Sequence, residues 1–193
     1  MTRRRVRVVL QGALAAAAIS LATGVALAYE GAPAAATQKL SAPQFSLPGS
    51  DGKTHDTKSL TADGPCFFYF IKDMCPVNEP VVKYMNRVAA AYDGKVKFVG
   101  VFYGDEATYK KFQERHKVPY TVLFDTDKTA IKGFKVGKSP ESILVAKGGE
   151  VLMHWKGVSG AVVTEMSAAM AKAAAIEPMK VDTTGAPEAA RQG

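Results

Sequence analysis

The sequence is poor in cysteine and histidine, and this scarcity excludes several kinds of site. Its 193 residues contain two cysteines, Cys66 and Cys75, and three histidines. The cysteines do not form a Cys-x-x-Cys pair, and no metal-ligand spacing joins the histidines to either of them. The sequence also lacks a glycine-rich phosphate-binding loop and an internal repeat. We therefore expect one ordinary globular domain with no metal ion and no cofactor.

Positive charge is concentrated at the amino terminus. Four arginines lie within the first seven residues, followed by an apolar stretch over residues 8–27 that ends in Ala26-Leu27-Ala28. A basic segment, an apolar segment and an A-x-A site in this order predict a secretory signal peptide over residues 1–28. The alternative is an uncleaved membrane anchor, since the apolar stretch approaches the roughly 20 residues that a membrane span needs.

The remaining charge is unremarkable once this segment is removed. The full chain has a formal net charge of +7, and loss of four arginines leaves about +3. No basic stripe interleaved with aromatic residues follows, so we expect no nucleic-acid binding. The signal predicts export to the periplasm or the exterior of a bacterial cell, with no membrane contact after cleavage.

The rest of the chain divides into three parts. Residues 29–38 form an Ala/Pro-rich linker, and residues 39–180 carry the alternating strand and helix patterns of a folded domain. Residues 181–193 are rich in Pro, Gly and Ala without apolar periodicity, which predicts a flexible tail.

Apolar patterns predict the elements of the domain. A continuous apolar and aromatic run over residues 66–71 is typical of a central strand buried on both faces. Further patterns predict helices over residues 78–92, 105–117, 129–134 and 162–176, and strands over residues 95–102, 120–124, 142–146 and 151–155. The last two strands flank Lys147-Gly148-Gly149, which indicates a hairpin. This order predicts an α/β fold with a mixed central sheet and helices on both faces.

Two prolines and one cysteine narrow the choice among α/β folds. Cys75-Pro76 follows the first buried strand directly, and Pro140 stands two residues before the hairpin. Segments 42–48, 51–53, 70–78, 116–125 and 139–145 stand in the matching order. This arrangement resembles the thioredoxin superfamily, and within it the redoxin branch of alkyl hydroperoxide reductase and thiol-specific antioxidant (AhpC/TSA) proteins. The resemblance implies a thioredoxin fold, Cys75 in the active-site turn, and a cis-proline at Pro140 opposite it.

The position of Cys75 suggests its chemistry. A cysteine at the start of a helix is close to free backbone N–H groups and to the positive end of the helix dipole, which favour the nucleophilic thiolate. Pro76 suits the first helical position. Asn78 is an alternative N-cap, because Pro80 fits only in a first turn, and Cys75 would then lie in the preceding loop. Lys72 either stabilises the thiolate or is a solvated charge at the strand end.

The sequence departs from the family patterns near the cysteine. Asn78 stands where dithiol members have the second cysteine of Cys-x-x-Cys, and Phe68 and Lys72 stand where peroxiredoxins have Pro and Thr or Ser. Cys66 lies on the buried strand and is expected to be a core residue. Five extended steps along that strand cover roughly 16 Å, too far for a disulfide with Cys75.

Three functions fit these residues, and we favour the first. A redox enzyme would use the Cys75 thiolate on a peroxide or a disulfide, and an external thiol reductant would resolve the product. A redox-inactive module would bind an extended peptide beside Pro140. A scaffold would form intermolecular disulfides through Cys75. The expected partners are therefore a thiol or disulfide protein or a small peroxide, in an antioxidant or redox-homeostasis role.

Overall fold

A computed structural model describes residues 39–193 of the chain. The predicted signal peptide over residues 1–28 and the linker over residues 29–38 lie outside the described residues. Over residues 39–193, every helix is too short or too polar to cross a membrane.

The described chain begins with a small antiparallel hairpin. Strand β1 (Ser46–Pro48) pairs with β2 (Thr54–Asp56), and helix α1 (Thr57–Leu60) follows. Asp56 caps α1 by accepting a hydrogen bond from the Ser59 N–H at 2.8 Å. The sequence patterns did not predict these elements, because three or four residues are too few for an apolar period to show.

Five strands form the central sheet. They are β3 (Cys66–Lys72), β4 (Lys97–Tyr103), β5 (Thr121–Phe124), β6 (Glu141–Val145) and β7 (Val151–Lys156), in the order β5-β4-β3-β6-β7. The pairs β3–β4 and β4–β5 are parallel, whereas β3–β6 and β6–β7 are antiparallel. The prediction of a mixed sheet with β3 at its centre is therefore confirmed.

Four further helices flank the sheet, close to their predicted bounds. They are α2 (Val82–Ala91), α3 (Glu106–His116), α4 (Thr129–Gly133) and α5 (Gly160–Ala174). The helix predicted from residue 78 differs most: a 3-10 turn over Glu79–Val81 comes first, and the α-helix begins only at Val82. Pro80 explains the delay, because a proline fits the start of a helix but not its interior.

Helices cover both faces of the sheet, as predicted. Side chains alternate along β3, so Phe67, Tyr69 and Ile71 face one apolar cluster, which is completed by α2, α3 and α5. Cys66, Phe68 and Phe70 face a second cluster with α1 and α4. A strand buried on both faces is why the run over residues 66–71 is continuously apolar rather than alternating.

The tail segment, residues 181–193, differs from the flexible tail that its composition favours. Asp182 forms an ion pair with Arg87 at 3.1 Å. The main chain of Gly160 donates to the Pro187 carbonyl at 3.0 Å, and Arg191 forms an antiparallel bridge with Val158. These partners lie far away in the sequence, so local composition gave no sign of them.

Candidate active site

Cys75 lies in the loop after β3, at the carboxyl edge of the parallel strands. The residue is 4% exposed. Its carbonyl accepts hydrogen bonds from the N–H groups of Asn78 and Glu79, both at 3.0 Å. Of the two helix starts left open by the sequence, the structure shows the later one, with Pro76 in the loop before it. Cys75 therefore stands outside the first helical turn and gains less from the helix dipole.

Asn78 is fully buried beneath this loop. Its side-chain oxygen accepts a hydrogen bond from the Tyr69 hydroxyl, and its Nδ2 donates to the Lys72 carbonyl at 3.4 Å. Burial raises the pKa of Tyr69, which keeps that hydroxyl a donor. Asn78 makes no side-chain hydrogen bond as a helix cap. It fastens the loop to the end of β3, a structural role at the place where dithiol relatives carry a second cysteine.

Ser139 and Pro140 face Cys75 from the start of β6. The peptide bond between them is cis. The Cys75 Sγ lies 3.8 Å from the Ser139 carbonyl oxygen, as a donor to it, and the Ser139 hydroxyl donates to the Phe70 carbonyl at 3.3 Å. The structure thus brings together Cys75 and the segment of Pro140, which are separated by more than sixty residues in the sequence.

The buried carboxylate of Glu141 binds the main chain next to the Ser139–Pro140 segment. Glu141 is 2% exposed, and its Oε1 accepts hydrogen bonds from the N–H groups of Gly137 and Lys138 at 3.2 and 3.0 Å. The same oxygen accepts from Gln192 Nε2 at 3.0 Å, and Oε2 lies 2.5 Å from His154 Nε2. Glu141 was not among the predicted site residues; a lone carboxylate directly before a predicted apolar strand was the available signal.

An ion-pair network fastens the Cys75 loop to the end of α3. Arg115 pairs with Asp73, and with Glu79 at 3.3 Å. His116 Nε2 lies 2.6 Å from the other oxygen of Glu79. Sequence patterns did not reveal this network, because its partners are about forty residues apart and come together only when α3 packs on the fold.

Lys72 lies at the exposed end of β3. Neither a hydrogen bond nor an ion pair joins its ammonium group to Cys75 in the described part of the chain, so the interpretation as a solvated strand-end charge fits better. It lines a cleft of about 320 Å³ beside Ser139 and Gly193. Three more lysines line the same cleft: Lys128, Lys132 and Lys138.

Cys66 lies at the other end of β3. It is 0% exposed, between Lys97 of β4 and Val145 of β6 in the sheet. Burial raises the pKa of the Cys66 thiol. Strand β3 separates it from Cys75, and both cysteines are free. Within residues 39–193, no group of three or more His, Cys, Asp or Glu side chains is arranged to hold a metal ion.

Comparisons with known proteins assign the chain to a family. The model of the AhpC/TSA family matches residues 39–175. The chain belongs to the AhpC/TSA family. The match covers the whole sheet, the Cys75 loop and the Ser139–Pro140 segment, and the resemblance seen in the motifs is confirmed.

The chain is also similar to a known relative and to solved structures. The thiol-disulfide oxidoreductase ResA of Geobacillus kaustophilus is 28% identical over 112 residues, which are 57% of this AhpC/TSA chain and 64% of ResA, less than two thirds of that relative. A candidate thiol:disulfide interchange protein, DsbE of Chlorobium tepidum, superposes with a TM-score of 0.64 at 24% identity, over 70% of this chain and 96% of its own. DsbF of MTB superposes with a TM-score of 0.59 at 28% identity, over 66% of this chain and 95% of its own. These structures confirm the thioredoxin fold.

Proposed function

We propose that this protein is a thiol–disulfide oxidoreductase that uses Cys75 as its single nucleophile. The position of Cys75 carries the proposal: it follows the central strand, and its sulfur lies 3.8 Å from the carbonyl that precedes cis-Pro140. Family membership and the thiol-disulfide chemistry named for ResA and DsbE support the same reaction.

The reaction would proceed by three exchanges. The Cys75 thiolate attacks one sulfur of a partner disulfide, so a new S–S bond forms while the partner's S–S bond breaks and its second sulfur leaves as a thiolate. An external thiol, as thiolate, then attacks the mixed disulfide at the Cys75 sulfur, which releases the reduced partner and forms a mixed disulfide between the thiol and Cys75. A second external thiolate attacks the external sulfur of that bond and restores the Cys75 thiolate. The net change is one disulfide reduced and two external thiols oxidised.

An external thiol is needed because no second thiol stands near Cys75. Asn78 holds the place of a resolving cysteine and is engaged by Tyr69. Cys66 is enclosed by β4 and β6 at the far end of β3. A peroxide substrate remains a variant of the same proposal, but Phe68 is buried in an apolar cluster, on the opposite face of β3 from Tyr69. The proline of the peroxiredoxin pattern is thus replaced by a core residue.

A redox-inactive binding module is the second candidate. It is favoured by the main chain of Ser139, which pairs with the extended segment around Gly193 through two hydrogen bonds of 2.9 and 3.4 Å. A site that binds extended main chain serves a binding module as well as an enzyme. The scaffold function, a disulfide between the Cys75 residues of two copies, has no contact among residues 39–193 that favours it.

The test is the pH dependence of Cys75 alkylation by iodoacetamide in the Cys66→Ala protein. A measured pKa of the Cys75 thiol well below the ordinary value of about 8.5 would support Cys75 as the nucleophile. Mass spectrometry should then find a mixed disulfide between Cys75 and an oxidised cysteine peptide, absent in the Cys75→Ala protein. A Cys75 that reacts only after unfolding, and forms no mixed disulfide, leaves the binding module.

We further propose that the protein acts after export, with residues 1–28 removed. The arginine-rich start, the apolar stretch and Ala26-Leu27-Ala28 support cleavage before Tyr29. Amino-terminal sequencing of the protein from a cell-envelope fraction should begin at Tyr29. A chain that retains Met1 in the membrane fraction would show an anchor instead.

A further inference from the structure

The tail segment runs along the domain and brings Gly193 beside Cys75. The Tyr84 hydroxyl donates to the Thr184 carbonyl at 3.4 Å, and Gly160 and Val158 hold Pro187 and Arg191 further along. The path of the segment is therefore fixed at several points before it reaches the candidate active site.

At the site, Gly193 pairs with the main chain of Ser139 in the manner of one antiparallel residue pair. The Gly193 N–H donates to the Ser139 carbonyl at 2.9 Å, and the Ser139 N–H donates to the Gly193 carbonyl at 3.4 Å. Gln192 adds a side-chain hydrogen bond to Glu141 at 3.0 Å. Reciprocal main-chain hydrogen bonds of this kind accept any sequence, so the same place can take a strand from another chain.

The distance from a Cβ atom at position 193 to the Cys75 Sγ matches the distance between the same atoms in a disulfide. A Cβ atom built on Gly193 would lie 3.1 Å from the Cys75 Sγ. An S–S bond of about 2.05 Å places each Cβ about 3 Å from the opposite sulfur. A partner strand with cysteine in the place of Gly193 would thus be aligned for a mixed disulfide with Cys75.

We propose that residues 191–193 occupy the place of a partner's strand in the free protein, and that they must leave Ser139 before a partner reaches Cys75. The identity of the displacing partner rests on the proposed function, whereas the contact itself does not. Glycine at position 193 suits this role, since a larger side chain there would press on Cys75 and Val77.

The cleft beyond Gly193 indicates the partner's chemistry. Its lysines are Lys72, Lys128, Lys132 and Lys138. Among residues 39–193, no carboxylate pairs with any of these four ammonium groups within 4.0 Å; Lys128 lies over the Tyr103 ring at 4.3 Å. A segment of a partner protein with a cysteine followed by Asp or Glu residues would place carboxylates among these charges.

A cysteine introduced at position 193 tests the contact without any measurement of activity. We expect the full-length Gly193→Cys protein, treated with oxidised glutathione, to form an intrachain disulfide with Cys75, while glutathione takes up the two thiol hydrogens. Peptide mapping would identify the bond. The matched control is Glu188→Cys, in an exposed part of the same segment. Equal closure in both proteins would mean a loose segment and would overturn the proposal.

The Gly193→Pro variant tests whether the segment controls access. Proline removes the N–H that bonds to Ser139. We expect Cys75 to be alkylated severalfold faster than in the unchanged protein, with Glu188→Gln at the unchanged rate. Identical rates for Gly193→Pro and the unchanged protein contradict control of access. Failure of the proposed function has a different result, namely no mixed disulfide from either protein at any alkylation rate.

Two activated cysteine peptides test the partner's charge. One carries Asp-Glu after its cysteine and the other Asn-Gln, each as a disulfide with a small aromatic thiol. We expect the acidic peptide to form the mixed disulfide about tenfold faster at low salt, because opposite charges speed encounter. The advantage should shrink at high salt and in the Lys132→Gln/Lys138→Gln protein. Equal rates at low salt would reject an acidic partner.

Discussion

Both cysteines of this protein are buried, but different parts of the chain cover them. Cys66 is 0% exposed because regular strands enclose it on both sides. Cys75 is 4% exposed beneath a loop, the Ser139 carbonyl and Gly193. Cys66 becomes accessible only when the sheet unfolds. Part of what covers Cys75, in contrast, is a segment held to Ser139 by two main-chain hydrogen bonds. A small exposed area therefore does not by itself distinguish a core thiol from a reactive one.

Removal of each thiol in turn should give the largest effect. Cys75→Ala is expected to abolish disulfide reduction and to leave the Tm nearly unchanged, since the site lies in a loop. Cys66→Ala should retain activity and lose about 1 kcal/mol of stability, because a small cavity replaces the sulfur in the core. Turnover with a peptide disulfide and urea unfolding of both variants measure the contrast. Activity that survives in Cys75→Ala would refute the role of this cysteine.

The stability of the protein around the Cys75 site should depend on Glu141. Glu141→Ala leaves the N–H groups of Gly137 and Lys138 without their acceptor and is expected to cost about 3 kcal/mol. The matched variant Glu141→Gln keeps a carbonyl acceptor in the same place and should lose much less. Thermal unfolding measures both losses, and similar Tm values for the two variants would count against this support.

The fold was more predictable from the sequence than the site. The run over residues 66–71 predicted β3 because burial on both faces leaves a continuous apolar signal. The bonds of Asn78, the contact of Gly193 with Ser139 and the pairing of Arg115 with Asp73 had no local pattern. Each joins residues that meet only after the helices and the tail segment have packed on the sheet.

Loss of the ion-pair network should loosen the Cys75 loop without affecting Cys66. Arg115→Met removes the pairs with Asp73 and Glu79, which are partly exposed and contribute about 1 kcal/mol or less. We expect faster hydrogen exchange over residues 73–79 and unchanged exchange in β3. Lys110→Met, from an exposed pair on the same helix, is the control. Unchanged exchange in the loop would show that the network does not fasten it.

The smallest effect should come from a helix cap remote from both thiols. Asp105 caps α3, and the hydrogen bond from the Thr108 N–H holds its pKa below the usual value. The cap stabilises the folded protein fully when the pH is above the pKa of Asp105 in the unfolded chain, about 3.9. This stabilisation is lost as the pH falls through the lower pKa that Asp105 has in the folded protein. Asp105→Ala should therefore lower the Tm at neutral pH.

The difference in Tm between the Asp105→Ala protein and the unchanged protein should become smaller at acid pH. Asp105→Asn, whose side-chain oxygen also caps but does not titrate, should show no such narrowing. Alkylation of Cys75 relative to Cys66 should remain the same in all three proteins. A change in that ratio would connect the cap to the site.

The tail segment also bears on how the sheet ends. Strand β7 lies at the edge, where the Leu40 carbonyl accepts from the Val151 N–H at 2.7 Å, and Arg191 bridges to Val158 just beyond the end of the strand. Its middle exposes Leu152 and Met153. Open edge strands invite pairing with other chains. A partner that lifts residues 191–193 from Ser139 would also strain or break the bridge from Arg191 to Val158, so access to the thiol and the main-chain pairing just beyond this edge depend on the same few residues.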